Sequence, residues 1–501
     1  MSQDPSAATL VPLPFPAIGW TKGIAPRFIA MFLLLVYYDR LAIRTLLVGG
    51  LVPSSIGVIA GGLLAFFLFF RPLALWSLQT REPMERLAAR TFGVTGGALI
   101  MRLVLGLALL VWFAVVIREA VDVTSRALVA FGLIDGKYLD PQVVSGITLP
   151  GPLFLGVAAI WSVTSAIIGS LAYKLVAAVM AGYQPFVALS LTALAAWAIG
   201  TSPQFVPLGY DPVTAVTPVN PAIFSILQAI QWICAYFAIA AALGADWGMA
   251  SRDRRDIRDG GATGIAIAAP VLAIIAFLFV AGTLGRNDLT SATAGPLSAH
   301  LGYQQALLGE SQSTSMERDR LAALASGVDA FSVRNLILHE LPGFYAGLIL
   351  LIFSVGFLGP ACFSPYLAGR LISGCWPHRP RWTWTLAVAI ATWTLLILNV
   401  VADLGAILDL LGGIVAPILG TMVASRIKAG GTPETPRPGL DLPVLSACLM
   451  GTLVGVSPVV GPPLGLSIAT QLPLAVICAY LTSFILVWIL PRKTSTAQAS
   501  G

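Results

Sequence analysis

Apolar residues in this chain gather into runs of about 20, the length at which a helix crosses the hydrocarbon core of a bilayer. Such runs fall at 28–51, 54–71, 97–118, 152–172, 176–199, 222–243, 263–284, 343–365, 384–402, 406–425, 442–462 and 470–490, which predicts twelve membrane helices. The first run interrupts its own pattern, because Tyr37, Tyr38, Asp39 and Arg40 stand in its middle and Arg44 follows one turn later. A charge at the centre of a spanning helix costs about 2.5–3.5 kcal/mol on insertion scales, so it needs a partner, a watery cavity or a function. On a regular helix Asp39 and Arg40 point about 100° apart. A break in the helix lets both face one internal site, and a buried ion pair serving only packing is the plainer alternative.

The polar connections between runs carry the charge. Arg71, Arg81, Arg86 and Arg90, then Lys174, then Arg252, Arg254, Arg255 and Arg258, then Arg370, Arg379 and Arg381, then Arg426 and Lys428, and last Arg492 and Lys493 all fall on one side of the predicted topology. The positive-inside rule makes that side, and both termini, cytoplasmic. The opposite connections, 119–149, 200–221 and 285–342, are longer or acid-balanced, and SQSTSMERDRLAALASGVDAFSVRNLILHE in the last is expected to fold partly as external helices. At the start of the first of these, Arg118, Asp122 and Arg126 recur at i, i+4 and i+8 beside Glu119, either as a solvated helix face or as a vestibule gate that selects charged solutes.

Composition adds that 57% of the 501 residues are hydrophobic and 10% charged, where soluble domains carry about 25% charge. The first 27 residues are polar and proline-rich, with no basic stretch leading into a cleavable apolar core, so the first run is expected to stay in the membrane. Five scattered cysteines argue against a disulfide framework or metal cluster, and the three histidines lack ligand spacing. No phosphate loop, dinucleotide motif or Ser-His-Asp set supports an enzyme. The net charge of +6 is accounted for by the basic connections, without nucleic acid.

Three stretches resemble one family. Thr80–Val115, TREPMERLAARTFGVTGGALIMRLVLGLALLVWFAV, is similar to the segment 2–3 region of the nucleobase:cation symporters, the cytosine permeases and hydantoin or allantoin carriers; LGADWGMASRDRRDIRDGG resembles their signature after segment 6; and LLGGIVAPILGTMVAS resembles segment 10. The resemblance implies an all-α polytopic membrane protein of leucine-transporter-like (APC superfamily) architecture, a five-plus-five inverted repeat with two extra helices. Its parts would be a tail over 1–27, one repeat over 28–199, a connection over 200–221, a second repeat over 222–425 containing the loop 285–342, a linker over 426–441, two helices over 442–490 and a tail over 491–501. Segments 1 and 6 would be broken at mid-membrane, near Tyr37–Arg44 (with the family's paired glycines at Gly49-Gly50) and near Tyr236–Gly244. Half-helix ends and unwound carbonyls contact solute and ion in such folds.

Carried over residue by residue, the resemblance makes Trp112 the stacking aromatic of segment 3 and Tyr236 or Phe237 its counterpart in segment 6. Tyr38, Asp39 and Arg40 would line the cavity. Asp246 with Arg252 or Arg254 stands in the signature loop, where Gly248 replaces the usual hydroxyl residue. The family's glutamine position is Val116, so no amide reads the ring edge there. Segment 8 reads VGFLGPACFSPYLAGR and leaves Ser354 and Ser364 as the nearby hydroxyls for sodium. This argues against sodium and for a proton as coupling ion, with Asp39 beside Arg40 or Arg44 as the titrating group and Lys174 of segment 5 as the alternative. The expectation is a bacterial inner-membrane permease for a nucleobase-like or related nitrogenous solute, without cofactor. The alternatives are a carrier of an anionic or zwitterionic solute and a carrier-derived sensor or scaffold.

Overall fold

In the computed structural model the described residues are 19–32, 35–144, 147–170, 182–209, 218–286, 332–374, 378, 380–401, 403–430, 436–461 and 473–490. Helices occupy every expected run, and among the described residues nine are long and apolar enough to cross a membrane. In chain order the helices used below are α1 (Ile24–Phe32), α2 (Leu35–Leu41), α3 (Leu51–Thr80), α4 (Met84–Phe92), α5 (Val94–Ala130), α6 (Pro152–Ser170), α7 (Gln184–Ala198), α8 (Pro221–Met249), α9 (Arg254–Leu284), α10 (Val333–Glu340), α11 (Gly343–Gly356), α12 (Leu358–Ser373), α13 (Arg381–Ile397), α14 (Leu404–Lys428), α15 (Leu442–Val460) and α16 (Ala475–Ile489). A short antiparallel hairpin, β1 (Gln142–Val144) and β2 (Ile147–Leu149), pairs Gln142 with Leu149 in the connection between α5 and α6.

Two runs extend beyond their expected ends. The second continues past Arg71 to Thr80, and the third continues past Arg118 to Ala130. A charge marks the end of an apolar run but not of a helix: the Arg71 guanidinium lies 5.7 Å from the Phe67 ring, its stem along the helix and its head at the end of the apolar zone.

Helix α14 lies at the centre, with 78% of its most apolar window buried, whereas α15 buries only 22% and stands at the periphery. Helix α8 packs between α3 and α14, and α15 and α16 pack on α14. The close approaches need glycine. A Cβ on Gly413 would come within 2.5 Å of the Gly455 carbonyl, and one on Gly248 within 2.5 Å of the Ala74 carbonyl, which is why no hydroxyl residue fits at Gly248.

Segment 6 differs from expectation. Helix α8 runs unbroken from Pro221 to Met249, straight through Tyr236–Gly244. That stretch holds four alanines and no proline, and alanine is the best helix former, so nothing there unwinds the ladder. Segment 1 remains helical over Leu35–Gly49, but Ala42–Leu46 is a π-helical turn inside the expected window. Gly49-Gly50 belongs to the turn into α3, where Gly50 adopts φ +88°. A discontinuity does occur in segment 8. Pro360 has no N–H to give the Gly356 carbonyl, and the chain turns at Phe357, whose N–H bonds Ser354 O at 3.0 Å, before α12 begins.

Candidate functional site

Asp39 is fully buried, but its direct partners come from the long connection before segment 8. Helix α10 starts with Ser332 as its N-cap, and the first N–H groups of a helix lack partners within it. Asp39 Oδ1 accepts one of them, from Val333 N, at 2.6 Å. The charge also suits the positive end of the helix dipole. Arg334, one residue on, holds three carboxylates: its Nη1 lies 2.6 Å from Asp122 and 3.2 Å from Glu119, and its Nε lies 3.7 Å from Asp39 Oδ2. Arg126 closes the arrangement with bonds to Asp122 (2.9 Å) and to Asn335 of α10 (2.9 Å), while Arg118 bonds Asn399 at 2.6 Å.

Glu119 and Arg334 are each only 4% exposed, so the Arg118–Arg126 face is an ion-sealed lid and not a solvated surface. Arg40, expected to pair with Asp39, is half-buried and acts on Asp39 and Glu119 through its field. Arg44 lies 5.8 Å from the Trp232 ring and within the field of Asp409. Asp409 accepts from Gln231 Nε2 (2.9 Å), and Gln231 Oε1 accepts from Val476 N (3.2 Å).

Below this lid the centre is aromatic. Trp112 and Tyr236 meet edge-to-face with centroids 5.4 Å apart, and Tyr236 meets Phe237 in the same way at 5.4 Å. Tyr38, Val116 and Phe237 are buried around them. A flat guest stacks on Trp112 only after Tyr236 moves aside, so the two rings form a closed slot. The Trp112 Nε1–H is buried and has no hydrogen-bond partner among the described residues, as is also true of Trp76 and Trp232. Phenol groups reach the end of α1: Tyr236 donates to Met31 O, Tyr183 donates to Ala30 O at 3.2 Å, and Gln184 Nε2 donates to Pro26 O at 2.6 Å. Of the expected sodium ligands, Ser364 spends its hydroxyl on Pro360 O of its own helix at 2.8 Å, and Ser354 is buried in the last turn of α11. Lys174 lies outside the described residues.

At the opposite end, basic by sequence, Asp246 ties three elements. Its Oδ2 lies 2.8 Å from Arg370 Nη2 at the end of segment 8, and its Oδ1 accepts from Met84 N, at the start of α4, at 2.9 Å. Glu85 lies 3.7 Å from Arg370. Arg81 donates to the carbonyls of Met249 and Ser251, both at 2.6 Å. Arg252 forks onto Asp256 at 2.8 and 2.9 Å, and that carboxylate also accepts from Trp20 N at 3.1 Å. The hydrogen bond that Arg252 donates to Asp256 raises its guanidinium above its usual range. Arg254 is exposed at the start of α9. Phe28, Trp247 and Phe363 fill the space between this ion set and the centre, with Phe28 and Trp247 centroids 4.8 Å apart and Trp247 and Phe363 5.7 Å apart.

The sequence did not point to Arg334, Tyr183, Asp409 or Gln231. Arg334 lies in a long connection expected only to fold partly as external helices. Asp409, an acid inside an apolar run, carried a usable signal in its burial cost alone. Tyr183 and Gln231 had no local signal, since their partners are distant in sequence.

Apolar helices around an aromatic centre, with ion sets at both ends, define an integral membrane protein, and its fold is one already seen in transporters. The chain is similar to the structure of Mhp1, described as a nucleobase-cation-symport-1 family transporter, in a closed conformation with bromovinylhydantoin bound: 15% identity, 95% of each chain covered, TM-score 0.54. It is similar to the inward-facing conformation of Mhp1 at 14% identity, covering 96% of this chain and 93% of that one, TM-score 0.54. A Na+-coupled sialic acid symporter in a substrate-bound outward-open state aligns at 12% identity over 95% of this chain and 89% of its own, TM-score 0.52. No protein-family model matches the chain, and no curated protein does. One of these structures is of a Na+-coupled protein, so the fold by itself gives no ground against sodium; any such ground lies in this chain's own residues.

Proposed function

We propose that the chain is a secondary transporter that moves a small nitrogenous, nucleobase-like solute by alternating access, with proton uptake at Asp39 as the coupling event. The observation that carries this reading is the aromatic slot of Trp112 and Tyr236, holding one buried unpaired N–H, between two ion-sealed ends. An indole face with a free donor suits a planar ring with acceptor atoms. The likeness to hydantoin-bound Mhp1 supports the same solute class.

Protonation of Asp39 would remove its charge from Arg334 and weaken its hold on the start of α10, so a proton taken from outside loosens the lid above the slot. Outward opening would follow from that loosening, and inward opening from rupture of the Asp246–Arg370 tie.

The test is thermal shift of purified protein against nucleobases, hydantoins and small carboxylates, followed by uptake of the stabilising compound under an imposed pH gradient. A stabilising heterocycle is expected, with gradient-driven uptake lost in Asp39→Asn. Stabilisation by carboxylates alone would favour an anionic or zwitterionic solute. No stabilisation by any compound would favour the sensor or scaffold. Normal gradient-driven uptake in Asp39→Asn would remove Asp39 from the coupling role.

A further inference from the structure

On α3 the exposed apolar residues Ile56, Ile59, Leu63 and Phe67 recur every three or four positions, so they form one stripe along the helix. One turn beyond Phe67 the stripe reaches the exposed Arg71, and then Leu75 and Gln79. These last two, with Trp76 beside them, face Val423, Arg426 and Ile427 near the end of α14, and together with Pro72 they line a cavity of about 190 Å³. Apart from the Gln79 amide and the Arg426 guanidinium, its walls are apolar or aromatic. Arg426 reaches across from α14 to α3: its Nη2 donates to Gln79 Oε1 at 2.8 Å, and its guanidinium lies 5.7 Å from the Trp76 ring. Two residues on, Lys428 donates to Val487 O and Trp488 O at the end of α16, at 2.9 and 3.2 Å.

We propose that this cavity is the site of one anionic phospholipid, its phosphate at Arg426 and Gln79 and one acyl chain along the α3 stripe. Three features select that occupant. A guanidinium presents N–H donors in a fork that matches a phosphate. Arg71, one turn from Leu75, and Lys428, two residues from Arg426, add positive charge that a zwitterionic lipid does not balance, and basic pockets between membrane helices suit anionic headgroups. Trp76 and the exposed Trp488 stand beside these cations at the ends of their helices, the arrangement of the headgroup level of a bilayer. The stripe opens the cavity to the hydrocarbon, so the occupant arrives from the lipid phase. An acyl chain there gains little by changing neighbours, and selection falls to the headgroup.

The site stands apart from the transport reading, and its test uses neither solute nor uptake. Full-length protein in a neutral detergent is melted while phosphatidylglycerol is titrated in, with phosphatidylcholine of the same chains and inorganic phosphate as parallel titrants. Phosphatidylglycerol is expected to raise the melting temperature saturably, because a ligand that binds only the folded state stabilises it by mass action, while the other two shift it by less than about 1 °C. Arg426→Gln is expected to weaken the apparent affinity for phosphatidylglycerol at least about tenfold, the worth of a charged hydrogen bond. Leu75→Trp, which fills the cavity from α3, should weaken it as well. Arg255→Gln, at an arginine that is 79% exposed at the start of α9, should leave it unchanged. Equal stabilisation by phosphatidylcholine or by inorganic phosphate overturns the proposal, as does an unchanged affinity in Arg426→Gln or an equal loss in Arg255→Gln. Should Arg426→Gln fail to fold, Leu75→Trp carries the comparison. Native mass spectrometry of the unaltered chain, expected to retain one phosphatidylglycerol and no phosphatidylcholine, decides without any variant.

Discussion

The two ends of the molecule are sealed by the same kinds of side chain under different conditions. At the α10 end Arg334, Asp39 and Glu119 have side-chain exposures of 5%, 1% and 6%, whereas at the basic end Arg370, Asp246 and Glu85 have 26%, 17% and 42%. Burial changes what an ion pair is worth. A buried set gains little over a neutral core but is strongly destabilised when one partner is lost, because the other charges stay without water. A part-exposed set loses little and is screened by salt. The Arg334 set is therefore expected to respond strongly to loss of one charge, and the Arg370 set to respond to salt.

The largest break in this comparison is Arg334→Ala, which leaves Asp39, Glu119 and Asp122 crowded together without the guanidinium they share. A loss of about 3–5 kcal/mol in unfolding stability is expected, read by denaturant or thermal melts in detergent. Adding Glu119→Gln and Asp122→Asn should restore most of it by removing the stranded charges. A loss below about 1 kcal/mol for Arg334→Ala would place the Arg334 set in the same energetic class as a surface pair.

Arg370→Ala tests the other side. Its expected cost is about 1–2 kcal/mol, for a part-exposed charged hydrogen bond to Asp246. Most of that cost should vanish when ionic strength rises from about 0.01 to 1 M, as the screening length falls from roughly 30 to 3 Å. The cost of Arg334→Ala should hardly respond to the same change. Equal salt dependence at the two ends would collapse the distinction drawn from their burial.

Between the ends, Trp112→Phe keeps an aromatic face and removes the unpaired N–H. Stability should change by less than about 1 kcal/mol, since the lost packing area is offset by removing a buried donor with no partner. Affinity for the stabilising heterocycle should fall about tenfold, the worth of one hydrogen bond. An unchanged affinity would separate the indole N–H from solute recognition.

The membrane helices were legible because a bilayer imposes a length, and runs of about 20 apolar residues stand out in any sequence. Their ends were misjudged where an arginine stem continues a helix, as at Arg71. Asp39 was legible for an energetic reason, its cost in an apolar run. Its partner Arg334 was not, because the pairing is made across the fold by a helix that the sequence placed only as external, with nothing local to tie it to Asp39. The segment 6 break was expected by likeness to relatives, against the alanine-rich local sequence, and the local sequence prevailed. The bond from Tyr183 to the end of α1 was invisible because its partner, Ala30, is distant in sequence and is brought to it only by the fold.

The smallest effect belongs to an ion pair outside both ends. Asp135, just beyond α5, lies fully in solvent, where the Lys137 backbone N–H and then its ammonium hold the carboxyl below the usual carboxylate range. A carboxyl lowered on folding adds stability above the pH at which it titrates in the unfolded chain, about 3.9, and loses it as the pH falls through its lower folded value. Asp135→Asn should therefore melt slightly below the native chain at pH 7, by a margin smaller than that of Arg370→Ala, and together with it once the pH has fallen below the carboxyl's lowered folded value. Melting curves of the two proteins across this range provide the check, and a gap that widens in acid would reverse the sign of the coupling. The pair sets the value of a fully hydrated interaction in this chain, so the Arg370 set must exceed it and the Arg334 set must exceed both if burial is what separates the two ends.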